Sequence, residues 1–280
     1  MSSSPEFSVT SLVTSSAPAK LRASVQTGAM LAPADIAAMY HLFAAHYDCT
    51  DAASFASDLA EKSHVILFHD GARLCGFSTL TLLALEPNGS TPACSILFSG
   101  DTIITPDYWG EQALALAFCR FVGGLKAAQP AVPLYWLLIS KGYRTYRYLH
   151  LFARHYWPHY WPHRPDTQAT TANATATDDT QLELILHRAA SQKFGTAWDR
   201  ATGLIRFPQS HGQLRPDLAL VRPHLREHTD IAFFLEKNLR YAQGEELACI
   251  TLLDLPNLRG VARRAFVQGF DAASQPGDHL

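Results

Sequence analysis

Neither sign of charge dominates this sequence. Lys and Arg number 23 and Asp and Glu 25, so a polyanion-binding tail is excluded and no nucleic-acid partner is expected. Long hydrophobic runs are missing too. The strongest, LYWLLI at 134–139, is far below the roughly 18 residues that a membrane helix needs, so no membrane span is expected. The first twenty residues hold Ser, Thr and Ala without a cationic start or an apolar stretch. No secretory leader is visible there, and a cytoplasmic place is expected. Cysteine is sparse and scattered. Cys49, Cys75, Cys94, Cys119 and Cys249 form an odd set with no CxxC pair, which argues against a disulfide framework and for a reducing compartment. Apolar residues are not scarce: 48% of the chain is hydrophobic and 17% charged, enough for a core and too much for disorder.

A chain of 280 residues is long enough for one large domain or two small ones. Residues 1–20 read as a flexible lead-in. Residues 164–180, RPDTQATTANATATDDT, hold no aliphatic residue beyond Ala and read as a disordered loop, because they cannot offset their ordering entropy. Between these segments the periodicity alternates. Ile36, Met39, Tyr40, Phe43 and Tyr47 recur at helical spacing after Pro33, and a shorter helix is predicted near 52–61. Runs at 64–69 and 73–85 flank Asp70-Gly71, a hairpin signal. A third strand is predicted at 95–105. A helix follows at 106–128, with Thr105 as cap and Pro106 in the first position. A central strand is predicted at 134–140 and a helix over 143–156. Beyond the loop, helices are predicted at 182–194 and 229–238 and strands at 203–208 and 246–255. The order predicts an α/β fold with a parallel crossover between the strands near 100 and 137.

Charge is uneven along the chain. No Asp or Glu occurs from Gln112 to Pro165, while Arg120, Lys126, Lys141, Arg144, Arg147, Arg154 and Arg164 all do. On a helix from Tyr143, Arg144, Arg147 and Arg154 fall on one stripe, suited to phosphate or to an acidic protein surface, unless acids elsewhere in the fold balance it. Aromatics gather in the same stretch, from Tyr135 and Trp136 to Tyr160 and Trp161. They read as core or as a cleft for a flat ligand. His155, His159 and His163 are spaced by four, yet Pro158 and Pro162 break any shared helical face, so no metal is expected. Cys94 and Cys119 lack any motif of a Cys–His nucleophile pair.

The segment ITPDYWGEQALALAF at 104–118 resembles the strand-to-helix passage of the GNAT acyltransferase superfamily. Ile104, Pro106, Tyr108 and Gly110 match its pattern, whereas Trp109, Gln112 and Leu114 depart from it and Glu111 adds a negative charge. The resemblance covers about residues 21–157 and implies a GNAT-like mixed central sheet flanked by helices. It favours a single domain at 21–260, with the 164–180 loop as an insertion and 261–280 as a tail.

That resemblance also implies an activity, the transfer of an acyl group from a thioester to an amine of a small molecule or amino acid. The donor would be an acyl-CoA or an acyl-carrier protein, the latter an acidic partner for the basic stripe. A catalytically silent binding or interaction module is the alternative. Donor contacts would fall on Ile103, Ile104 and Thr105 at the strand end, and on Tyr108, Trp109, Gly110, Glu111 and Gln112 at the turn, where helix amides favour an anion. Ser140, Arg144 and Arg147 would add to them. Asp101 would be the base, and Tyr146 or Tyr148 the acid that protonates the leaving thiolate.

Overall fold

A computed structural model of the chain describes residues 21–89, 91–159, 169–208 and 211–275, with the backbone alone for 169–177. In order, the elements are β1 (Arg22–Thr27), α1 (Pro33–His46), β2 (Tyr47–Asp48), α2 (Ala52–Ala60), β3 (His64–Asp70), β4 (Arg73–Leu85), β5 (Cys94–Ile104) and α3 (Ala113–Ala128). They continue with β6 (Leu134–Ser140), α4 (Tyr143–Phe152), α5 (Ala169–Phe194), β7 (Trp198–Asp199), β8 (Leu204–Ile205), β9 (Gln213–Leu214), α6 (Pro216–Ala219), α7 (Thr229–Lys237), β10 (Glu246–Leu252) and α8 (Gly260–Ser274). Eight strands form a mixed sheet in the order β1-β3-β4-β5-β6-β10-β8-β7, and β2 pairs with β9 apart from it. β5 and β6 run parallel, as the crossover pattern predicts, with α3 carrying the chain between them. The fold is thus the expected α/β arrangement of a mixed sheet flanked by helices.

Side-chain alternation divides the core into two faces. Leu97, Trp136 and Leu138 pack with Phe118, Leu149, Phe234 and Phe266, beneath α3, α4, α7 and α8. On the other face, Val65, Leu67, Phe77 and Ile103 pack with Met39, Phe43, Phe55 and Leu59 of α1 and α2. Further along that second face, Ile96, Phe98, Leu137 and Ile250 pack with Ile185, Leu186 and Ala189 of α5. The second face is therefore covered by two separate helical groups with a gap between them.

Several elements differ from the sequence reading. Thr105 and Pro106 open a 3-10 turn over Pro106–Tyr108, not α3. The Thr105 N–H still pairs with the Cys75 carbonyl of β4, and Gly110 at φ +98° turns the chain before the helix can start. Helix α4 stops at Phe152 because the main chain leaves to pair elsewhere: Arg154 N–H donates to Asn257 O, and Trp157 and Ile250 exchange two hydrogen bonds. Arg154 is thereby taken off the basic stripe.

Helix α5 begins at Ala169, inside the expected loop. Ala is the strongest helix former, and packing of the helix's far half supplies what Thr and Asp lack. The loop's first residues, 164–168, lie outside the described residues, as do the lead-in at 1–20 and Tyr160, Trp161 and His163. The expected tail holds α8, which crosses α3 so closely that a Cβ on Gly123 would sit 2.1 Å from Phe266 O, and one on Gly269 1.9 Å from Arg120 O. β1 is a polar, exposed edge strand, paired with β3.

Candidate active site

Two local features open a cleft in the second face. β5 and β6 pair from Ser95↔Leu134 to Ser99↔Leu138, and beyond that point no ladder joins them. On its other side, β5 slips register against β4 between Leu80↔Ser99 and Ser78↔Thr102. Such a bulge bends a strand and re-aims the side chain beside it. Gly100 sits in the bulge, where a Cβ would lie 2.8 Å from Thr79 Oγ1. The next residue, Asp101, lines a cavity of about 450 Å³ in the gap between α1–α2 and α5. That is within the usual range for a small-molecule site.

The cleft draws its walls from distant parts of the chain. Phe43, Tyr47 and Phe55 come from the α1–α2 side, and Phe98, Phe194 and Phe207 from the α5 side. Its acids and bases are almost all paired. Lys62 Nζ meets Asp58 at 2.8 Å, Lys141 meets Glu246 at 3.4 Å, and Lys193 meets Glu61 at 3.3 Å. Asp51 caps α2 by accepting from the Ser54 N–H at 2.8 Å. Lys141 also donates to His211 O and lies 4.9 Å over the Tyr47 ring. Lys62 and Lys193 both approach the Phe98 ring, at 5.7 Å and 5.6 Å.

Asp101 is the exception. Among the described residues its carboxylate has neither a hydrogen-bond donor nor an ion-pair partner. Burial raises its pKa to about 6, helped by Asp58 and Glu246 and opposed by Lys141 and Lys62. Burial, with the Asp101 and Glu246 carboxylates, pushes the Tyr47 phenol far up, so it stays protonated. Burial also holds His211 below the ordinary imidazole value. A carboxylate poised near 6 in a cleft can take a proton from an ammonium group.

The other residues expected at a site fall elsewhere. Tyr146 is buried between α4 and α7 and donates its hydroxyl to Pro158 O at 3.1 Å. Tyr148 packs on Phe152, with its phenol raised by burial. Neither lines the cleft. Ile103 is buried beneath α1 and α2. The Ile104 carbonyl, at the strand end, accepts the Trp109 indole N–H at 2.8 Å. Tyr108 donates to Asp70 at 2.6 Å. Arg144 stacks on the rings of Trp109 and Tyr143, at 4.9 Å and 5.0 Å, and donates to Leu218 O. Arg147 pairs with Asp230 of α7 at 2.8 Å. Within the stripe an acid thus neutralises Arg147, whereas Arg144 is held by rings and a carbonyl. Buried hydroxyls of Thr105 and Ser140 lack a hydrogen-bond partner among the described residues, with Ser140 beside the Cys249 thiol.

The turn before α3 fits a diphosphate poorly. Gly110 and Gln112 leave the first amides of α3 open. Yet Glu111 stands beside them, and its Oε2 is buried without a partner among the described residues. A fixed carboxylate there would repel an anion.

Of the three spaced histidines, His155 and His159 are described and His163 is not. His159 meets Asp179 at 3.0 Å and His155 approaches it at 3.9 Å. Among the described residues no cluster of three or more His, Cys, Asp or Glu could hold a metal ion. Sequence reasoning missed Tyr47, Asp58, Lys62, His211 and Glu246 as cleft residues. Only Lys141 carried a signal, directly after the apolar strand β6.

No family model matches this chain, and no curated protein does. Solved structures do resemble it. A probable N-acyltransferase of unknown function from Enterococcus faecalis has 17% identity over 48% of this chain, with a TM-score of 0.35, and the match spans 33% of that protein. An acyl-CoA N-acyltransferase from Pseudomonas aeruginosa has 13% identity, covering 42% of this chain and 78% of its own, with a TM-score of 0.32. An Escherichia coli GNAT family N-acetyltransferase, solved with CoA, has 12% identity, covering 43% of this chain and 64% of its own, with a TM-score of 0.30. Likeness of this degree carries no weight for chemistry, which rests on the cleft.

Proposed function

We propose that this protein is an N-acyltransferase, moving an acyl group from a thioester to the amine of a small molecule within a single domain. The observation that carries this reading is Asp101: a carboxylate without a partner among the described residues, beside a strand bulge and lining the cleft, with its pKa near 6.

The acceptor arrives as an ammonium ion, and Asp101 takes a proton from it. The freed amine attacks the thioester carbonyl, a C–N bond forms, and the C–S bond breaks. One further proton goes from nitrogen to sulfur, so the products are an amide, a thiol and the proton held by Asp101. The thioester carbonyl would enter where β5 and β6 part. Tyr47 is the cleft phenol that the Asp101 carboxylate acts on. It remains protonated and serves as a hydrogen-bond donor, in place of the expected Tyr146 and Tyr148.

The donor's acyl end is the part this site accommodates, and the diphosphate end of an acyl-CoA finds little at the Glu111 turn. For a carrier protein, one arginine of the basic stripe, Arg147, is taken by Asp230. The second reading, a silent module with this fold, is favoured by one observation: Trp109 already occupies the strand-end carbonyl where a donor arm would bind. The test is thiol release from acetyl-CoA, a long-chain acyl-CoA and an acyl-carrier protein, each with a panel of amines. Amine-dependent release that vanishes in Asp101→Asn supports the enzyme. Absence of release with every donor establishes the silent module.

A further inference from the structure

The cleft's charges do not cancel, and the remainder specifies a ligand. Three carboxylates, Asp58, Asp101 and Glu246, the first of them a third exposed, face two ammonium groups, Lys62 and Lys141. The Lys193–Glu61 pair at the rim is neutral, and Asp51 is exposed and held by the α2 N-terminus. His211 is kept neutral by burial. One negative charge is left over, on the one acid with no partner among the described residues. An uncompensated charge in a low-dielectric cleft is costly, and a guest of opposite unit charge relieves it. A dication would overshoot, and an anion would add to the excess.

The walls complete the specification. Phe43, Tyr47 and Phe55 on one side and Phe98, Phe194 and Phe207 on the other bracket Asp101 with rings. Rings on both walls suit a flat apolar body. We infer that the acceptor is a small primary monoamine with an aromatic or similarly flat apolar body, held by its single ammonium group on Asp101. This rests on the proposed acyl transfer only in calling the ligand an acceptor. Its binding needs no donor.

The test is calorimetric titration of the full chain, without any thioester, using 2-phenylethylamine, the neutral 2-phenylethanol and the dication of 1,5-diaminopentane. The expected result is that the monoamine binds at least tenfold tighter than either of the others. Asp101→Asn should level the amine with the alcohol. Lys62→Met, which leaves Asp58 unpaired, should shift preference towards the diamine. Should that variant fail to fold, the wild-type pH profile serves instead. Monoamine affinity should fall as pH drops through about 6, where Asp101 takes a proton. Protonation of His211 acts in the same direction; the other charged groups facing Asp101 are Lys62 and Lys141, in ion pairs with Asp58 and Glu246. Equal affinity for alcohol or diamine, or a monoamine affinity independent of pH, overturns the inference. Monoamine binding with no acyl transfer from any thioester leaves it standing and sinks the enzyme reading. Acyl transfer to a peptide or polyamine, without monoamine binding, does the reverse.

Discussion

The Lys141 ammonium lies 3.4 Å from the Glu246 carboxylate, and both side chains are only 8% exposed. Their desolvation is repaid by mutual attraction, by the His211 carbonyl that Lys141 also reaches, and by the Tyr47 ring beneath it. Removing one member strands the other. Lys141→Ala is expected to cost about 3–5 kcal/mol, read as a lowered denaturation midpoint in urea. The double variant Lys141→Met with Glu246→Leu should recover most of that loss. A double variant no more stable than the single one would reject the pair as a buried coupled unit.

Asp101 is expected to lower stability while it supports activity. Its folded pKa of about 6 lies above its ordinary 3.8. The stability it lends is therefore complete at low pH and is lost as pH rises through about 6. Asp101→Asn removes that loss and should stabilise the protein at pH 7 by on the order of 2 kcal/mol, while thiol release falls a hundredfold or more. In the wild type, kcat/KM should fall below about pH 6. Thermal melts at pH 4 and pH 7 check the sign, since the variant's advantage should appear only at the higher pH.

The α3–α8 crossing admits no side chain at its closest points. Gly269→Ala would place a methyl group 1.9 Å from the Arg120 carbonyl, and Gly123→Ala one 2.1 Å from the Phe266 carbonyl. Both clash with backbone, which cannot give way without moving a helix. Each should cost about 3 kcal/mol or more. Gly124→Ala, with its nearest neighbours at 3.9 Å, should be nearly neutral. Melting temperatures of the three variants decide the matter.

Trp109 holds the Ile104 carbonyl through its indole N–H. Trp109→Phe keeps a ring for Arg144 and releases that carbonyl. Under the acyltransferase reading, acyl-CoA affinity should rise by several fold, the equivalent of one hydrogen bond. Titration of both proteins with acetyl-CoA measures it, and weaker binding by the variant would make Trp109 part of the donor seat.

Cys49 is the exposed thiol, and Cys75, Cys94, Cys119 and Cys249 are buried. It also lines the cleft. A maleimide should therefore label the native protein once, as counted by mass spectrometry, and saturating 2-phenylethylamine should slow the reaction. Labelling at several sites would show that the core opens readily.

Elements with dense, unambiguous patterns were legible in the sequence. The run LYWLLIS became β6 at 134–140, and Asp70-Gly71 became the β3–β4 turn. Signals tied to one residue type misled. Thr105-Pro106 reads as a helix start because such pairs often are, but β4 still holds Thr105, and the chain must turn at Gly110 first. Thr-rich residues 169–180 read as loop because helix propensity there is modest, and tertiary packing further along the helix is invisible locally. Asp101, which lines the cleft, was singled out by its place before the turn. Its surroundings were not, because Tyr47, Asp58, Lys62, His211 and Glu246 are far apart in sequence and share no spacing. Tyr146 and Tyr148 were in range by count, but helix α4 turns them into the core.

The scatter of those cleft residues has a consequence for when the site exists. Its floor and one wall are complete once β5 and α2 have formed, but the opposite wall needs Phe194 and Phe207, and the balance of Lys141 needs Glu246 on β10. A chain emerging from its N-terminus could assemble five strands of the sheet and still hold no ligand. The cleft is thus completed late in the chain, and an amine bound there as proposed would report that the last strand has taken its place.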